Sequence, residues 1–155
     1  MESQKALSSK EAKEIKKILE ENYGYKHKLD YQFFMNEKEK IFIINREISN
    51  VNLVDIKINS IGLYFGQWTK GLLRLSVEGS QIVGPESNNV LSIDGKQVSD
   101  WINGKDIDLE KDQEANIKYP FIIIKSNNDY LGSGKIDKNN HKILNHYPKA
   151  RRING

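Results

Sequence analysis

Phe121-Ile-Ile-Ile-Lys-Ser-Asn-Asn-Asp-Tyr-Leu-Gly-Ser-Gly-Lys-Ile-Asp137 is the stretch on which the fold class turns. An aromatic and β-branched run, Phe121–Lys125, stops at Ser126-Asn127-Asn128-Asp129, and a second run, Tyr130–Ile136, follows at once. Asn and Asp tolerate the backbone conformations of tight turns, so the pattern predicts a β-hairpin. Beyond a second polar connector, Lys138-Asn139-Asn140-His141, the segment Lys142–His146 supplies a third strand. Gly132-Ser133-Gly134-Lys135 therefore lies within a hairpin and does not open a helix. A phosphate-binding loop would need Gly where Asp129 stands and a hydroxyl where Ile136 stands. Strand glycines more often permit a bulge or the close approach of another backbone.

Working outward, Asn89–Ile93 suits a strand, and Asp94–Asn103 a helix. Asp94 is its N-cap, Val98, Trp101 and Ile102 point inward, and Gly104 stops it. Ile107 and Leu109 alternate with acidic residues, which fits a half-exposed strand. Gly84-Pro85-Glu86-Ser87-Asn88-Asn89 is the strongest boundary signal in the chain.

Ahead of that boundary, Ser8 and Glu11 fit a capping box, with Ala12, Ile15, Ile18 and Leu19 at helical spacing, so a helix is expected over 8–22. Residues 31–35 and 40–45 read as two strands around the polar Asn36–Glu39. Residues 46–57 are ambiguous, with room for one short helical turn. Residues 59–66 and 72–77 read as strands separated by a turn at Gln67–Gly71, and 77–83 as a short helix. The expected fold class is α+β: an N-terminal α+β domain over 1–87, then a smaller, mostly β domain over 88–155.

The 155 residues carry 24 Lys+Arg and 21 Asp+Glu, a formal net charge of +3 that says little by itself. Its distribution says more: residues 1–87 carry 13 basic and 12 acidic side chains, residues 88–114 carry 3 and 7, and residues 115–155 carry 8 and 2. A basic C-terminal quarter suits a phosphate backbone, because each neutralised phosphate releases condensed counterions. The plainer alternative is a solvated tail.

The longest apolar runs, Ile41–Ile44 and Phe121–Ile124, are too short to cross a bilayer, which needs about 20 residues. The N-terminus lacks a basic segment followed by an apolar one, so no membrane association and a soluble, cytoplasmic, monomeric protein are expected. With no cysteine there is no disulfide, thiolate nucleophile or thiolate metal site. Asp106, Asp108, Glu110 and Asp112 resemble a calcium loop, but Lys111 replaces its turn glycine and Ile117 its bidentate Glu. His27, His141 and His146 form no ligand set, although the latter two suit one basic surface that gains charge below about pH 6.5. No catalytic motif or cofactor-binding motif emerges, so the expectation is a protein that is not an enzyme.

Two segments combine basic and aromatic residues. Phe65-Gly-Gln-Trp-Thr-Lys-Gly71, followed by Arg74, places Trp68 beside Lys70 at a glycine-flanked turn, as a lid over the core or an exposed stacking surface. Lys142-Ile-Leu-Asn-His-Tyr-Pro-Lys-Ala-Arg-Arg152 combines Tyr147 with Lys149, Arg151 and Arg152. Paired arginines fork onto phosphates and stack on bases, a better RNA signal than lysines. The alternative is that Tyr147 and Ile153 merely anchor the terminus.

The order of these segments resembles known proteins. Gly62-Leu-Tyr-Phe-Gly-Gln-Trp-Thr-Lys70 and Leu73-Arg-Leu-Ser76 are similar to the hairpin of Nip-type ribosome-biogenesis factors, which join an α+β domain to a C-terminal PUA domain. Asp94-Gly95, Trp101-Ile-Asn-Gly-Lys-Asp-Ile107, Tyr130-Leu-Gly-Ser-Gly-Lys135 and Asn145-His-Tyr-Pro-Lys-Ala-Arg-Arg152 resemble archaeal PUA proteins and the PUA-like tail of Sun/fmu-type RNA cytosine methyltransferases. The resemblance implies a C-terminal β pseudo-barrel with an RNA-facing groove. It offers Lys135, Lys149, Arg151 and Arg152 as RNA contacts, and the two basic–aromatic segments add Lys142, Tyr147, Trp68, Lys70 and Arg74 as candidates. The backbone around Gly132–Gly134 would let RNA approach. The methyltransferases' catalytic cysteines and cofactor loop are missing. The expectation is a non-catalytic reader of structured rRNA or tRNA, with a ribosome-assembly partner on its N-terminal domain. The alternative is an adaptor that binds protein and not RNA.

Overall fold

Ser8 and Glu11 close the anticipated capping box: Ser8 Oγ accepts from the Glu11 N–H, and Glu11 Oε1 accepts from the Ser8 N–H, both at 3.1 Å. The helix so started, α1 (Ser9–Tyr23), buries Ile15, Leu19 and Tyr23. In the computed structural model, which describes residues 4–45, 62–115, 117 and 119–146, α1 packs on a five-stranded antiparallel sheet. Its strands are β1 (Gln4–Ala6), β2 (Tyr31–Asn36), β3 (Lys40–Asn45), β4 (Leu63–Thr69) and β5 (Leu72–Leu75), in that spatial order. Strand period fixes the faces. Phe33 opposite Ile43 and Met35 opposite Ile41 turn toward α1, whereas Phe34, Phe42 and Ile44 form a small cluster of their own.

The hairpin β4–β5 departs from expectation. Gln67, Trp68 and Thr69 belong to the strand, and the turn shrinks to Lys70-Gly71, both left-handed at φ 54° and 77°. Such two-residue turns match the right-handed twist of the flanking strands. The ambiguous segment 46–57 and the expected strand start at 59–61 lie outside the described residues. β1 was not anticipated.

Next comes α2 (Val77–Val83), capped by Ser76 Oγ accepting from the Gly79 N–H at 2.9 Å. A 3₁₀ turn, Gly84–Glu86, begins the expected boundary. The boundary is strapped down: the Asn88 N–H donates to Tyr23 O at 3.0 Å, and Asn89 Nδ2 donates to Phe121 O at 2.8 Å.

The second sheet contains β6 (Val90–Ser92), β7 (Ile107–Asp108), β8 (Phe121–Ser126), β9 (Asp129–Asp137) and β10 (Lys142–Leu144), ordered β6-β8-β9-β10-β7. Among the described strands, only β6 and β8 pair in parallel. The helix α3 (Gly95–Ile102) is where expected, though the Asp94 side chain makes no capping bond. Trp101 is fully buried and donates through Nε1 to Leu131 O at 2.8 Å. The acidic stretch that read as a longer strand is a two-residue strand followed by a short helix, α4 (Lys111–Ala115). The chain is α+β, as expected, and among the described residues no helix is long and apolar enough to cross a membrane.

β8 explains its own apolar run. Ile122 and Ile124 enter a core with Trp101, Ile107 and Ile143, whereas Ile123, on the other face, joins Leu75 and Val83 in the core under α1. A strand covered on both faces loses hydrophobic alternation. Burying one such side chain is worth about 1.5–3 kcal/mol, so Ile123 is a substantial tie between the sheets. Ser133 Oγ adds a buried hydrogen bond to Leu75 O at 2.8 Å.

Candidate nucleic-acid interface

Cross-strand register builds a groove at this seam. On β4–β5, Gln67 stands opposite Arg74 and Thr69 opposite Leu72, and these four side chains share one face. The intervening Leu73 and Leu75 are buried in the core. On β8–β9, Phe121 stands opposite Lys135. These six, with Lys70 from the turn and His146 after β10, line a groove of about 350 Å³. Its charged lining consists of Lys70, Arg74 and Lys135, and no carboxylate is among the described lining residues.

Arg74 is held at both ends. Nη2 donates to Gln67 Oε1 at 2.9 Å, and Nη1 meets His146 Nδ1 at 2.8 Å. A guanidinium can only donate, so Nδ1 accepts, which requires an unprotonated Nδ1. Gln67 is itself oriented, because its Nε2 donates to Lys38 O at 3.4 Å. Both partners of Arg74 are thus neutral acceptors, which fix the side chain without cancelling its charge. Three of its five N–H donors remain for a ligand.

Partial desolvation holds His146 below the usual imidazole value of 6.5, reinforced by Arg74 and Lys135 and opposed by Asp106. The expected gain of charge near pH 6.5 is therefore displaced downward for His146. His141 sits elsewhere, 2.8 Å from Glu114. The expectation of one basic surface shared by the two histidines is not met.

Of the residues singled out from sequence, Lys70, Arg74 and Lys135 converge on the groove. Two described ones do not. Trp68 lies within β4, packs half-buried against the α1 core and is not among the residues lining the groove. Lys142 stands opposite Asp108 and Asp137 in the register and pairs with Asp108 at 3.7 Å, so its charge is locally balanced. Tyr147, Lys149, Arg151 and Arg152 lie outside the described residues. Gly132, Ser133 and Gly134 are all buried. Gly134 makes room for Ile143 and Trp101, so its smallness serves packing and not the approach of RNA. Gln67, Thr69, Leu72 and Phe121 were missed as groove residues, whereas His146 was expected on a basic surface and lines this one. Polar–apolar alternation through Gln67-Trp68-Thr69 and Leu73-Arg74-Leu75 is the signal that points to the first two and Arg74.

Among the described residues no three His, Asp or Glu side chains converge as a metal site. The chemistry the groove offers is anion recognition beside an apolar wall. Residues 88–153 match a family model described as the methyltransferase RsmF PUA domain. No curated protein matches the chain.

Proposed function

We propose, for a chain that carries a PUA domain at its C-terminus, a non-catalytic role in binding structured RNA during ribosome biogenesis or the modification of rRNA or tRNA, in the cytoplasm. The observation that carries this reading is the convergence of Lys70, Arg74 and Lys135, from two sheets, on a groove with no carboxylate in its described lining. Cations arranged this way take phosphates, and the released counterions supply much of the affinity. The N-terminal sheet contributes two of the three, so the RNA site is shared between both parts of the chain. The basic terminal run containing Lys149, Arg151 and Arg152 follows closely on His146 in sequence and adds three further cations to the chain for binding phosphates. A domain named for a methyltransferase supports a place beside RNA modification, and the described lining of the groove offers a neutral imidazole and three cations.

The test is a titration of tRNA and rRNA fragments at two salt concentrations. Lys70→Ala, Arg74→Ala and Lys135→Ala should each weaken binding and lower the slope of log K against log salt by about 1. The double variant Arg151→Ala, Arg152→Ala should weaken binding by roughly tenfold. RNA affinity without salt dependence, or absent altogether, would favour the protein-binding adaptor instead.

A further inference from the structure

We infer that the groove receives one unpaired nucleotide, its base against Phe121 and Leu72 and its phosphate on Arg74 and Lys135. The inference rests on the RNA-binding reading above and specifies what part of an RNA enters the site.

Three observations carry it. The groove, at about 350 Å³, is a recess of small-ligand size and not an extended track. Its lining is divided: Leu72 and Phe121 form an apolar wall, and Lys135 stands directly across the strand pair from Phe121. That juxtaposition puts a π-face and a cation side by side, as a base and its own phosphate require. Finally, Arg74 is fixed in advance by Gln67 and His146, so little side-chain entropy remains to be lost when a phosphate arrives. A continuous duplex presents phosphates but keeps its bases stacked, leaving the apolar wall unused. An unpaired nucleotide satisfies both halves, and an aromatic platform accepts any base because every base has a π-face. Gln67 and His146 act here as positioning residues, through Arg74.

The experiment uses the full chain and two hairpin RNAs that differ only by one bulged nucleotide. The bulged RNA should bind roughly tenfold tighter, in keeping with one base stacked on one aromatic ring. Phe121→Leu, which keeps apolar bulk in the half-buried position, should abolish that preference, so that the bulged and closed hairpins bind alike. Lys135→Ala should weaken both RNAs alike. Equal binding of the two hairpins would overturn the inference and leave RNA binding itself standing. A bulge preference that survives Phe121→Leu would also overturn it, by placing the nucleotide elsewhere. Salt-insensitive or undetectable binding of both would overturn the RNA-binding reading. Independently of any variant, adenosine or uridine monophosphate should shift the backbone amide signals of Thr69, Leu72, Phe121 and Lys135 together. No shift at those four would count against the assignment.

Discussion

His146 accepts a hydrogen bond from Arg74 across 72 positions of sequence, at 2.8 Å, and in doing so joins the hairpin of the first sheet to the end of the last strand of the second. The bond exists only while the ring nitrogen is unprotonated. Desolvation and the nearby charges of Arg74 and Lys135 favour that form. Because the folded-state value lies below the unfolded one, the unfolded chain binds the proton more readily. The contribution is therefore fully present above pH 6.5 and is lost as pH falls through the folded-state value. Thermal melts at pH 7.5 and 5.5 should show a loss of stability traceable to this residue. His146→Asn, whose amide oxygen can still accept from Arg74, should show a smaller loss over the same interval. An identical loss in both proteins would remove His146 from the linkage.

Lys70 occupies a position that suits Asn, Asp or Gly. Its φ of 54°, next to Gly71 at 77°, puts a long side chain in the left-handed region at the tip of β4–β5. That conformation costs an ordinary residue roughly 1–2 kcal/mol, and Asn less. A cation retained there at such a cost fits its place on the groove. Lys70→Asn should raise the unfolding free energy by up to about 1 kcal/mol, seen as a higher urea midpoint, while weakening RNA binding. Stability by urea unfolding and affinity at fixed salt should move in opposite directions. A variant both more stable and equally tight would show that Lys70 is merely strained.

How far the amino-acid order foretold this arrangement depended on whether a signal was local. The capping pair Ser8 and Glu11, the hairpin around Asn127, and the helix holding Trp101 are written in neighbouring residues, and each was legible. β1 was not, because three residues pair with β2 only after α1 has folded back between them. Trp68 was misplaced because the glycines beside it suggested a turn. Its alternation with Gln67 and Thr69 is the stronger fact, since a strand's two-residue period sets which side faces the core. Lys70, Arg74 and Lys135 could be named as basic residues near aromatics. Their meeting was not visible, because it depends on β8 lending Ile123 to the first core and on Ser133 bonding to Leu75. Phe121 read as the start of a core strand, and nothing local marked its place opposite Lys135.

Gly134 offers a test that separates packing from recognition. A methyl there would collide with Ile143 Cγ2 and stand 3.0 Å from Leu144 O and 3.2 Å from the Trp101 ring. Overpacking of this kind costs typically about 1–3 kcal/mol. Gly134→Ala should therefore unfold at lower denaturant. At a temperature where the variant remains folded, its RNA affinity should match that of the parent. A loss of affinity without a loss of stability would return this glycine to the RNA-facing surface.

The chain has two tryptophans, and they report on different cores: Trp68 packs against the cluster under α1, and Trp101 is buried in the cluster within the second sheet. Ile123 and the Ser133–Leu75 hydrogen bond connect those cores, and the strap at Asn88 and Asn89 ties both to the chain between them. The two parts should therefore unfold as one cooperative unit, despite the boundary signal at 84–89. Single-tryptophan proteins, Trp68→Phe and Trp101→Phe, allow each core to be followed by fluorescence and compared with loss of far-UV ellipticity in the same sample. Coincident transitions in each are expected, as for two-state unfolding. Ser133→Ala leaves the Leu75 carbonyl without its partner and should lower stability by about 1–2 kcal/mol. Because Ile123 still spans the seam, the two probes should remain coincident in that variant. Separate midpoints in the parent protein would mean that the sheets are independent domains, and the groove between them would then lack the rigid frame that fixes Arg74.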